Sequence, residues 1–234
     1  MPSSFAWSPV APGPPPAASA RGGATTLRSR RDQWLQAGAF DAVSDEALCG
    51  YGEIIGRDCS ETAIDGSQQK APCGGDGTGP NPTDRGKSGW QWSIATERNG
   101  VPIGWVTAAA NRNDCALLAP TLDAVAQRGL RLEIETLHLD RGYDNQVVRQ
   151  ECAQRGLTDV VIAQKRQQGK VKTKKLLPLG QRWPVERTNS WLANYGLLRR
   201  STDRRGAHRH AMMALAAAFI LTFKLFIWAD CWNR

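Results

Sequence analysis

The stretch Glu135–Asn145, ETLHLDRGYDN, decides how the chain is read. Leu137 and Leu139 alternate with His138 and Asp140 in the two-residue period of a strand, and Gly142 breaks the pattern. Asp140 therefore closes a strand. An acid in that place forms a turn or caps the next helix as readily as it does chemistry, so its role rests on what stands elsewhere in the chain.

Working outward, Thr62–Ala71, TAIDGSQQKA, reads as a strand with Asp65 at its middle or end. Cys73–Gly89 is a Gly- and Pro-rich loop with Arg85 and Lys87 near its end, and its spacing matches neither a P-loop nor GxGxxG before a helix. Trp90, Trp92 and Ile94 alternate with Gln91 and Ser93, giving a strand with one apolar face; the two tryptophans read as core, not as platforms for bases. Asn99-Gly100 is a hairpin dipeptide, and Val101–Ala109 supplies the returning strand.

Asn111–Gly129 reads as a helix with Asp114 as its cap, Leu117, Leu118, Leu122 and Val125 as its core stripe, and Pro120 dividing it. After the opening stretch, Asn145–Arg155 is helical and Asp159–Ala163 is a short apolar strand. Three antiparallel strands followed by helix-strand alternation predict an α/β fold with a ribonuclease-H-like mixed sheet and flanking helices. Asp84 and Asp144 are turn residues in this reading.

At 234 residues the chain can bury one sizeable core, or one core and a tail. Residues 1–26 are Pro, Ala, Gly and Ser with almost no charge, a composition expected to stay disordered. Helical segments begin at about Leu27. The six cysteines are scattered, with neither zinc spacing nor a dense disulfide framework, which fits reduced thiols in a cytoplasm. Ala211–Ala229 is long enough to span a membrane but carries Lys224, and a helix buried against the domain is the expected reading, with no membrane partner.

Charge is unevenly placed. The chain has 30 Lys and Arg against 22 Asp and Glu, and 15 of those bases against three acids lie from Gln164 onward. A polyanion is the natural partner for that basic third. Gln164–Leu177, QKRQQGKVKTKKLL, reads as an aperiodic arm whose Lys165, Lys170, Lys172, Lys174 and Lys175 would contact phosphates without reading sequence.

Pro184 then sits in the first turn of a helix, and Val185–Arg200 follows with Trp191, Leu192, Tyr195 and Leu198 at helical spacing. Glu186 lies five residues before Trp191, roughly 140° around the helix from that stripe. The fold thus carries an acid on its first strand, an acid at the end of its fourth, and an acid early in a late helix. The first and fourth strands lie side by side in such a sheet, so Asp65 and Asp140 can meet and the helix can bring Glu186. Two Mg²⁺ ions about 3.5–4 Å apart need hard oxygen ligands of this kind, with positions left for water and phosphate. His138 shares a strand face with Asp140 and is expected to pack or hydrogen-bond, since Mg²⁺ disfavours nitrogen. His208 and His210 are expected to cap or to face solvent.

The motifs IDGSQQKA with GPNPTDRGKSG, LHLDRGYDN, and RWPVERTNSWLANYGLLRRSTDRR, in this order, resemble a DDE transposase of the IS5 family, within the IS4-like group of insertion sequences. The resemblance runs from about Arg31 to Lys224. It implies Asp65, Asp140 and Glu186 as catalytic metal ligands, with two Mg²⁺ ions or Mn²⁺. Arg182 matches the arginine of the group's Tyr, Arg, Glu, Lys signature, whereas Leu179 and Ala193 stand at its tyrosine and lysine positions, so Arg187, Arg199 and Arg200 join Arg85 and Lys87 as candidate DNA contacts. The implied activity is cleavage at inverted-repeat ends and strand transfer into target DNA by a homo-oligomer. Residues 27–60 read as the remnant of an N-terminal helical region and 61–229 as the catalytic domain, with an upstream-frame product as the source of the helix-turn-helix. A truncated, inactive DNA-binding remnant and a ribonuclease-H-like nuclease are the alternatives.

Overall fold

The computed structural model describes residues 23–162 and 182–232. Six strands form one sheet: β1 (Glu61–Lys70), β2 (Gly79–Pro80), β3 (Ser88–Thr96), β4 (Pro102–Ala109), β5 (Thr136–Leu139) and β6 (Asp159–Ile162). β1 and β4 flank β3 antiparallel, β5 lies parallel to β1, and β6 lies parallel to β5, while the short β2 also pairs with β3. The order β4-β3-β1-β5-β6, an antiparallel meander on one side of which two parallel strands are added by helical crossovers, is ribonuclease-H-like.

Helices α1 (Ala24–Gln36) and α2 (Ala39–Ile54) precede the sheet; α3 (Cys115–Gln127) and α4 (Gln146–Gln154) are the crossovers; α5 (Trp183–Asn194), α6 (Gly196–Arg199) and α7 (Gly206–Trp232) close the chain. The sheet is covered on both faces. Ile64, Ala95, Leu137 and Leu139 pack with Leu48 and Tyr51 of α2, Leu118, Leu122 and Val125 of α3, and Val148 of α4. Ala63, Trp90, Trp92 and Ile94 pack on the other side with Val185 and Leu192 of α5 and with the first half of α7. Neighbouring residues of one strand thus enter different cores, as strand pleating requires.

Trp90 and Trp92 are fully buried, as the alternation implies, but so is the polar face of β3. α3 and the turn before it cover that face: Gln91 Nε2 donates to the Arg112 carbonyl at 2.6 Å, and Thr121 Oγ1 bonds Ser93 Oγ at 2.8 Å. Strict alternation therefore did not mean one wet face.

Four local expectations are corrected. Pro120 does not divide α3, because Leu117 and Leu118 before it and Thr121, Leu122 and Val125 after it are all buried against the sheet and hold the helix through the missing N–H. The expected Val185–Arg200 helix is two helices, since Tyr195 adopts extended dihedrals and Gly196 opens a new turn. The helical region starts at Ala24, inside the stretch expected to be disordered. His208 neither caps nor faces solvent: it is buried, with Nε2 at 2.9 Å from Asp32 and Nδ1 at 3.5 Å from Asp203, while half-exposed His210 pairs with Asp41 at 3.1 Å.

α7 is long and apolar enough to cross a membrane. One face of its first half, with Ala211, Met213, Ala214, Ala217 and Leu221, is buried against the sheet and α2, while Phe219 is exposed. Lys224 lies 5.3 Å from the Trp191 ring and reaches the Asn99 carbonyl at 3.5 Å, tying the helix to the β3–β4 hairpin.

Candidate metal centre

Parallel pairing of β1 with β5 ends at Ile64 opposite Leu139. Asp65 and Asp140 are the next residue on each strand, so they emerge together from the sheet on the face covered by α5. Asp140 leaves the strand with extended dihedrals and accepts the Arg141 N–H at 2.5 Å, opening the short 3₁₀ turn Arg141–Tyr143. The cap role open to any acid after a strand is thus real, and it occupies one lone pair of Oδ1.

α5 supplies the third acid. Pro184 fits its first turn, and Val185, Thr188 and Leu192 bury the inner face, which leaves Glu186 exposed. Arg182, one turn earlier, reaches both remaining carboxylates, with Nη1 at 3.0 Å from Asp140 Oδ1 and Nη2 at 3.0 Å from Glu186 Oε1. One guanidinium therefore links the acid that follows β5 to the acid of α5.

Asp65 is held differently. Its Oδ2 accepts from Asn189 Nδ2 at 3.2 Å, and Asn189 Oδ1 in turn accepts the indole N–H of buried Trp92 at 2.8 Å. Burial pushes the Asp65 carboxyl up from its ordinary 3.8 to about 6; the Arg182 guanidinium and the Gly66 N–H oppose that shift, and the charges of Asp140 and Asp114 add to it.

Asp114 is the neighbour that sequence reading missed. It occupies the position before α3 but makes no capping bond, and Asn113 Oδ1 instead accepts the Cys115 N–H at 2.8 Å. Its carboxylate lies over Gly66, where a Cβ would stand 2.8 Å from Oδ1, and partial burial and Asp140 both raise its pKa. The signal in the sequence was the adjacent Asn113, whose side chain is competent to cap in its place. Asn189 was missed as well; an amide in the middle of a helix, three residues after Glu186, is its trace.

Among the described residues no three His, Cys, Asp or Glu side chains stand ready around a single point. The donor set nonetheless suits a hard cation: Asp65, Asp140 and Glu186 offer oxygen alone, and His138, buried, turns its Nε2 to Glu61 on the same face. The Arg182 guanidinium lies between Asp140 and Glu186 and offsets their negative charge.

The candidate DNA contacts scatter. Arg85, in a left-handed conformation (φ 54°), and Lys87 are exposed in the turn before β3. Arg199 and Arg200 are exposed beyond α5. The Arg187 guanidinium stacks 4.4 Å from the Trp183 ring and 4.6 Å from that of Trp191 and donates to the Asn99 carbonyl, so it ties α5 to the hairpin. Lys165, Lys170, Lys172, Lys174 and Lys175 lie outside the described residues. Asp84 pairs with Lys70 at 3.6 Å and Asp144 with Arg149 at 2.8 Å.

Residues 58–221 match the family model described as a transposase DDE domain. A Burkholderia cepacia protein assigned as the transposase for insertion sequence element IS402 is 35% identical over 162 residues, covering 67% of this chain and 69% of that one. Two solved Mos1 structures, the mariner paired end complex with Mn and the paired-end complex with left transposon end, align with 76% of this chain and 58% of theirs, so this chain spans under two thirds of their length. Their identities are 9% and 11% and their TM-scores 0.31 and 0.30, and the fold assignment rests on the sheet order instead. On the matched region and the IS402 relative, the chain belongs to the transposase DDE domain family.

Proposed function

We propose that this chain cleaves DNA at the ends of an insertion sequence of the IS5 family and joins them to target DNA, with Asp65, Asp140 and Glu186 holding two divalent ions, Mg²⁺ or Mn²⁺. The observation that carries this reading is the emergence of Asp65 and Asp140 from one parallel register, with Glu186 brought beside Asp140 through Arg182.

Asp65 and Asp140 hold the fixed side of the site, one anchored by Asn189 and the other by its own turn. Glu186 is exposed and closes the site from α5. The bound ions supply activation of the attacking water or 3′-hydroxyl and stabilisation of the leaving 3′-oxygen. Arg182, freed from the two carboxylates, presents a planar fork of donors suited to a phosphate. Exposed Arg85, Lys87, Arg199 and Arg200, with the lysines of residues 165–175, supply sequence-independent phosphate contacts. Residues 61–229 make the catalytic domain in this reading. A homo-oligomer grips both inverted-repeat ends, and an upstream-frame product contributes end recognition.

The test incubates the protein, alone and with any upstream reading-frame product, with labelled element ends, plasmid and Mg²⁺, beside Asp140→Asn. Joined products that vanish in the variant support transposition. Cutting without joining favours a ribonuclease-H-like nuclease, and DNA binding with no reaction in either condition favours an inactive remnant.

A further inference from the structure

Asn189 is the one polar side chain of α5 that touches the first acid, and its own orientation is fixed from below. The indole of Trp92 can donate only, so the Asn189 oxygen must face it and the amide nitrogen must face out. That nitrogen meets Asp65 Oδ2 at 3.2 Å. Trp92 is fully buried between Val185 and Leu192 of α5 and the sheet, so the donor at the base of this chain of bonds does not move with solvent.

Asn189 lies three residues after Glu186, on neighbouring positions of the same helix surface. The bond to Asp65 therefore ties β1 to the helix that carries the third acid. It also takes up one oxygen of Asp65, and the Gly66 N–H bonds the same carboxyl. We propose that Asn189, held by Trp92, is a positioning residue that presents the Asp65 carboxylate to the metal ions; this rests on the metal-dependent reading of the site. Outer partners of metal-bound carboxylates commonly govern affinity by about 10- to 100-fold when removed.

The test compares wild type, Asn189→Leu, Trp92→Phe and Asp65→Asn. Mn²⁺ binding is followed by loss of the free-ion resonance signal without DNA, and the Mg²⁺ concentration for half-maximal cleavage is measured with DNA. Asn189→Leu keeps the branched shape but has neither donor nor acceptor. It is expected to lower the unfolding temperature by stranding the Trp92 indole N–H, and in addition to weaken Mn²⁺ binding and raise the Mg²⁺ requirement by about tenfold, whereas a merely structural role would lower the unfolding temperature and leave metal dependence unchanged. Trp92→Phe keeps the Asn189 amide but frees it to turn over, and is expected to raise the Mg²⁺ requirement by a smaller factor. Unchanged metal binding in both variants, while Asp65→Asn abolishes it, overturns the role of Asn189 alone. Absence of Mn²⁺ binding in wild type, unaltered by Asp65→Asn, overturns the metal reading and the inference with it.

Discussion

Asp65 and Asp140 stand one step past the same register pair, Ile64 opposite Leu139, so two parallel strands end their shared ladder on two carboxylates. The charge of Asp140 raises the cost of ionising Asp65, the more buried of the two. Its carboxyl is pushed up to about 6 by burial first and by Asp140 and Asp114 after it. In the metal-free protein the folded state then binds a proton that the unfolded chain has released between pH 3.8 and about 6. Stability contributed by Asp65 accordingly falls as pH rises through that window.

Asp65→Asn should therefore stabilise the metal-free protein at pH 7.5 by about 2–3 kcal/mol, a rise in Tm of about 4–10 °C. The gain should shrink as pH falls from 6 towards 4. Thermal unfolding in the presence of a chelator checks this, and a variant less stable than wild type at pH 7.5 contradicts it.

Arg182 bridges Asp140 and Glu186, and a cation entering the site competes with it. Both carboxylates are largely exposed, so Arg182→Gln should cost under about 1 kcal/mol of stability. Removing the competing charge should tighten Mn²⁺ binding about threefold, an energy of the same order. Cleavage should nevertheless drop about tenfold or more, because the freed fork is the group offered to phosphate. Binding and turnover measured on one preparation should move in opposite directions.

Much of this site was legible in the residue order. The period-2 runs placed Asp65 and Asp140 on strands, and the helix-strand alternation put those strands side by side. Exposure of Glu186 followed from its angle to the core stripe. Periodicity could not show that α3 buries the polar face of β3, because Gln91 and Ser93 look solvated until Arg112 and Thr121 are brought to them in space. It also missed Asp114 and Asn189, whose partners Gly66 and Asp65 are distant in sequence. Pro120 and Tyr195 were misjudged for one reason: burial held a helix through a proline, and a local extended residue broke one that periodicity continued.

The β3–β4 hairpin rests on a buried acid. Glu97 is fully buried and accepts the N–H groups of Asn99 at 2.8 Å and Val101 at 3.1 Å, with Asn99 Nδ2 at 3.1 Å. Burial raises its pKa, and those donors hold it down. Both backbone bonds reach the same oxygen, so Glu97→Gln should stay within about 1 kcal/mol of wild type, while Glu97→Leu should lose about 2–4 kcal/mol by stranding two N–H groups. Denaturant unfolding separates the two.

Helix α3 approaches the sheet at Gly104, where a Cβ would lie 2.6 Å from Val125 Cγ2 and 2.9 Å from the Val125 backbone nitrogen. Gly104→Ala should destabilise by about 1–3 kcal/mol, since helix backbone, not a flexible tip, must give way. Gly50, within α2, has nothing within 4 Å of a Cβ, and Gly50→Ala should stabilise by up to about 1 kcal/mol. Opposite signs in one denaturation series are the expected outcome.

The most direct test of the central claim, that Asp65, Asp140 and Glu186 form the metal centre, is anomalous diffraction from crystals of the protein soaked in Mn²⁺. The expected result is two peaks about 3.5–4 Å apart among these three carboxylates, with Arg182 withdrawn from Asp140 and Glu186. Strong Mn²⁺ peaks elsewhere, with the Arg182 bridge intact and no density between Asp65 and Asp140, would contradict it.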